Sequence, residues 1–108
     1  MRIAGIVLMT VLAGSLAVAQ EQGPPPTYIP PQGYVPDAAT AIRIAVAVWE
    51  PIYGKEKIAS QQPYIASLKG DVWTVVGTFH CKGHCVGGVA SAEISKRNGT
   101  ILRVIHGM

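Results

Sequence analysis

Charge is scarce in this chain: only 14% of its 108 residues are Asp, Glu, Lys or Arg, and the nine basic ones are scattered. A nucleic-acid footprint needs basic residues gathered on one surface, so no nucleic-acid partner is expected. Length is short as well, with room for one small domain, which excludes a multidomain enzyme. A coiled coil is excluded too. The chain is not disordered, because apolar residues make up 49% of it. An uninterrupted apolar run of the ~20 residues that span a bilayer is missing. The only candidate, near the start, is broken by Gly14 and Ser15. No cysteine follows the small residues Leu12-Ala13-Gly14, so a lipid anchor is not expected either.

The start is instead organised as a secretory signal peptide. Met1-Arg2 supplies a positive end, Ile3 to Leu12 is apolar apart from Gly5 and Thr10, and Ala17-Val18-Ala19 is a small-x-small cleavage site. Residues 1–19 are therefore expected to be removed, leaving a periplasmic or secreted chain with no stable membrane anchor. Residues 20–33 carry Pro24, Pro25, Pro26, Pro30 and Pro31 and read as an extended tether. The folded domain is expected over 34–108.

Within that domain the hydrophobic period is first helical. Ala38, Ala41, Ile42, Ala45, Val48, Trp49 and Ile52 fall on one face, which predicts a helix from about Asp37 to Tyr53. Pro51 is expected to bend or end it and Gly54 to stop it. The period then changes to two. Strands are predicted over Tyr64–Leu68, Val72–Phe79, Val89–Ser95 and Thr100–His106, with turns at Lys69-Gly70-Asp71 and Asn98-Gly99. The expected fold class is α+β, one long N-terminal helix packed on a curved antiparallel four-stranded sheet. Trp73, Val75, Phe79, Ala90, Ala92, Ile94, Leu102 and Val104 form the predicted inward set. Thr74, Thr78, Ser91, Glu93 and Arg103 form the outward one.

Both cysteines lie in His80-Cys81-Lys82-Gly83-His84-Cys85. Two thiolates and two imidazoles could fill a zinc shell, but four ligands within six residues can hardly wrap one ion. The preferred reading is a Cys81–Cys85 disulfide formed in an oxidising compartment, with no bound metal and no cofactor. A thiol-nucleophile enzyme would need one of His80, His84 or His106 with Glu93, and nothing local supports that arrangement. Asn98-Gly99-Thr100 matches a glycosylation acceptor, but the turn reading suffices.

Several separated motifs occur together: Tyr34-Val35-Pro36-Asp37-Ala38-Ala39-Thr40-Ala41, Pro51-Ile52-Tyr53-Gly54, Gly87-Gly88-Val89, Glu93-Ile94-Ser95-Lys96 and Gly99 to Gly107. In that order they resemble a family of small bacterial immunity proteins with a reduced nuclear-transport-factor-2-like fold, also described as cystatin-like. The resemblance covers about Tyr34 to Met108. It implies a helix wrapped by a curved sheet and a role in neutralising a protein toxin from a competing or sibling cell. It brings no catalytic residues, so no enzyme is expected. The signal peptide implies a toxin acting in the periplasm. The expected contact residues are His80, Lys82, His84, Arg103 and His106, with Arg103 the best single anchor or else an ordinary cross-strand partner of Glu93. The His-Cys segment departs from the family's usual loop. Two alternative roles are a secreted inhibitor of a lysozyme or protease, and a periplasmic metal-handling protein using the His80–Cys85 loop.

Overall fold

The structure is a computed structural model that describes residues 26–107. The expected signal peptide and the first part of the tether lie outside the described residues. Helix α1 spans Ala38–Tyr53. Asp37 is its N-cap: the residue is extended and its Oδ1 accepts the Thr40 N–H at 2.8 Å, satisfying one of the donors a helix start leaves free. Ala41, Ala45 and Trp49 form the fully buried stripe. Ile42, Ile44 and Val46 pack beside it, half-buried.

Pro51 does not end the helix. It sits in the last turn, where its missing N–H costs a single bond, and Gly54 still donates to Glu50 O at 2.9 Å. The chain then starts a second helix, α2, over Lys55–Ala59. The hydrophobic period predicts one helix only, because five residues are too few for a period to register. Ile58 of α2 is fully buried and belongs to the core.

Four strands follow: β1 Ile65–Lys69, β2 Val72–Val76, β3 Ala90–Ser95 and β4 Ile101–His106. They pair antiparallel in chain order. α1 lies over β1, β2 and β3, and Trp73, Val75, Ala90, Ala92 and Ile94 complete the buried core. Both tryptophans are buried, and each has its indole N–H on a backbone carbonyl.

Two members of the predicted inward set are not inside. β2 stops at Val76, and Phe79, 48% exposed, lies beyond it in the connection to β3. The cause is Gly77 and Thr78. Gly77 makes room for the buried side chain of Gln61, and the Thr78 N–H turns to Gln61 O at 2.7 Å, which draws the chain out of the sheet. Leu102, 50% exposed, sits at a register irregularity: Glu93 faces Arg103, but Ile94 faces Ile101. The extra residue lies on the edge strand β4, outside the three strands that α1 mainly covers.

The molecule therefore has two ends. One holds the β1–β2 turn, the β3–β4 hairpin and the start of α1. There Tyr34 and Val35 donate to Arg97 O and Lys96 O at 2.9 and 3.0 Å, and the Trp73 Nε1–H donates to Val35 O at 2.8 Å. Gly33, with φ +85°, is pressed against the Lys96 carbonyl, where a Cβ would collide. The last turn of the proline-rich stretch is thus docked on the hairpin. The other end holds α2, the β2–β3 connection and the end of β4.

Candidate functional site

The second end gathers most of the residues singled out in the sequence. Cys81 and Cys85 are bonded to each other, with their Cα atoms 6.2 Å apart. The ring they close presents Lys82 and His84 to solvent. In the bonded form neither sulfur is a thiolate ligand, and among the described residues no group of three or more His, Cys, Asp and Glu side chains converges.

The loop that carries the ring is tied down on the α2 side. The Thr78 hydroxyl donates to Pro63 O at 2.6 Å, and the His80 Nε2–H donates to Gln62 O at 2.6 Å. His80 thus keeps its place beside the loop's root, with Nδ1 left over. Between loop and helix lies a cleft of about 340 Å³. Its floor includes Gln61, Gly88 and His106, and its rim Lys57, Phe79 and Val86.

Gln61 organises the floor and was not foreseen from sequence. It is the only buried polar side chain among the described residues, at 6% exposure. Its Oε1 accepts the Ala90 N–H at 2.8 Å, which leaves Nε2 facing His106 Nε2 at 3.1 Å. An amide nitrogen only donates, so His106 Nε2 must be the acceptor. The proton of His106 then sits on Nδ1, which donates to Gly107 O at 2.8 Å. The imidazole also stacks at a tilt on Tyr53, with ring centroids 5.0 Å apart. His106 is therefore held as a structural group, with both nitrogens engaged, and not as a freely displayed contact.

Arg103 is not brought to this end. Parity along β4 puts it on the sheet face opposite His106, directly across from Glu93, with its Nη1 3.9 Å from Glu93 Oε2. At 60% side-chain exposure this pair is a loose surface ion pair. The row Ser67, Thr74, Glu93, Arg103 crosses the outer face. A second depression on that face, of about 540 Å³, is lined by Ser67, Lys69, Val72, Thr74 and Glu93, with Lys69 and Glu93 its ionisable groups.

Among the described residues the two sulfurs are bonded to each other, His106 is locked between Gln61 and Gly107, and His80 is used as an anchor. No helix among the described residues is long and apolar enough to cross a membrane. No curated protein and no solved structure matches the chain significantly. A family model described as an NTF2 fold immunity protein matches residues 40–108, from the first turn of α1 through the whole sheet and loop. The helix-then-antiparallel-sheet order is consistent with that fold, and the chain belongs to the NTF2 fold immunity protein family.

Proposed function

We propose that this chain is an exported, non-catalytic binding protein that protects its host by occluding a toxin acting in the periplasm. The family match over residues 40–108 carries the reading. Export is supported by the sequence of residues 1–19 and by the Cys81–Cys85 bond, since disulfides persist in oxidising compartments. The toxin-facing surface is the loop end: Lys82 and His84 on the ring, His80 at its root, and the cleft behind. His106 acts there by holding the floor. Arg103 contributes only if the partner also reaches round to the outer face, because Glu93 already faces it. No cofactor is needed for occlusion.

The test is protection. Cells receiving a periplasm-directed toxin encoded beside this chain should survive when the full chain is present. They should die when residues 1–19 are deleted, because the protein then stays in the wrong compartment. Equal protection by both forms would defeat the periplasmic reading. Copurification of the chain with a lysozyme or a protease in place of a toxin would favour the inhibitor alternative.

A further inference from the structure

We propose that the cleft between the disulfide loop and α2 is a docking pocket for an aromatic side chain of a partner protein, flanked in that partner by a carboxylate. This deepens the reading of the chain as a protein-binding module and rests on it.

Three observations converge. First, the rim carries apolar surface that none of the described residues covers. Phe79, the sole phenylalanine, is 48% exposed, and Val86 is 97% exposed. Both flank the ring on the same connection, and both line the cleft. Large apolar side chains beside a concavity are the usual anchors of protein contacts. Second, the platform is preorganised. The disulfide, the Thr78 and His80 anchors to Pro63 O and Gln62 O, and the Thr78 N–H on Gln61 O fix the loop at four points. Docking therefore orders little new chain. A volume of about 340 Å³ accommodates one aromatic side chain with the start of its neighbours.

Third, the charge around the cleft has one sign. Lys57 lies on the rim, Lys82 projects from the ring, and no Asp or Glu lines the cleft. The polar groups on the floor are already spoken for. Gln61 uses both ends of its amide, Thr78 donates to Pro63 O, and the Ser60 hydroxyl donates to Lys57 O at 2.6 Å. Among the described residues the Lys57 ammonium has no partner. The pocket thus offers an apolar body and a single unfilled cation at its edge, which suits an aromatic residue next to an Asp or Glu.

The probes are N-acetyl-tyrosyl-glutamate amide and N-acetyl-tyrosyl-lysine amide, titrated into the oxidised full chain and followed by backbone amide NMR. The glutamate dipeptide should give saturable shifts at Lys57, Phe79 and residues 86–88. The lysine dipeptide should bind about thirtyfold more weakly, because a unit-charge contact at ~4 Å, a factor of about five in water, changes from favourable to unfavourable. Lys57→Glu should reverse that preference, and Val86→Ser should weaken both probes; each residue is exposed, so the fold is retained. Equal affinity for the two dipeptides, saturable shifts on the outer face around Thr74 and Glu93 instead, or no saturation at all would each overturn the pocket. A failure of toxin protection with these shifts intact would strike the immunity role alone.

Discussion

Gln61 shows how one polar side chain can hold an end of a fold. Its backbone and amide together reach Ile58, Thr78, Ala90 and His106, so α2 and the ends of β2, β3 and β4 meet on a single residue. Removing the amide would leave the Ala90 N–H buried without a partner, a penalty of ~1–3 kcal/mol. Gly77 is its steric counterpart: a Cβ there would lie 2.8 Å from Gln61 Cβ and closer still to Oε1, which is pinned by Ala90 and cannot swing aside. We therefore expect both Gln61→Ala and Gly77→Ala to lower stability in urea unfolding. The double variant should lose less than the sum, because the smaller side chain removes the Oε1 and Cδ collisions and leaves only the approach to its Cβ. Strict additivity would show that Gly77 is tolerated for another reason. The same geometry fixes a proton. Long-range nitrogen–proton NMR at neutral pH should find His106 in its Nδ1–H tautomer, and an Nε2–H signal would contradict the Gln61 assignment.

At the level of elements, the start of α1 depends on an ionised cap. Hydrogen bonding from Thr40, by its hydroxyl and then by its N–H, holds the Asp37 carboxyl below the usual carboxylate range, and the charge of Arg43 adds to this. A carboxyl depressed in the folded state contributes stability above its unfolded value of ~3.9 and loses it as pH falls through the folded one. Asp37→Ala should accordingly lower the melting temperature at neutral pH, and the gap from the parent should close on acidification below about pH 4. A gap independent of pH would mean that the charge plays no part. The α1 stripe and the alternation in β2 and β3 were legible because each is a local pattern repeated over several residues. Trp73, Val75, Ala92 and Ile94 fall inside for that reason. What could not be read depends on tertiary contacts. α2 is too short to show a period. Phe79 continues the strand pattern in sequence, but Gln61, sixteen or more residues earlier in the chain, pulls the strand apart at Gly77 and Thr78. The cleft was invisible for the same reason: Lys57 and Val86 become neighbours only through that junction.

The whole molecule is polar in the literal sense, with different work at each end of one sheet. The proline-rich stretch docks at the hairpin end, where Lys96 donates to Gln32 O and Trp73 reaches Val35. The ring and cleft lie at the other end, so a chain entering from its N-terminal side presents the loop outward. Between the two ends runs a core of Trp49, Ile94, Val75 and their neighbours that contains no acidic or basic side chain. Such a core is dense and changes little when the loop is altered. The disulfide lies inside a connection that the Gly77 N–H to Ala90 O bond at 3.0 Å already closes. Its contribution to global stability is then chiefly the constraint on the unfolded chain, roughly 2 kcal/mol for so short a ring. Reduction should lower the unfolding midpoint by no more than that. Backbone signals of residues 78–89, Lys57 and His106 should shift, because the loop's anchors to Gln62 and Pro63 loosen once the ring opens. The Trp73 indole N–H and the amides of Tyr34 and Val35 should stay where they are. If reduction moved those signals as well, the two ends would be coupled through the sheet, and a partner held at the loop would then change how the tether is held.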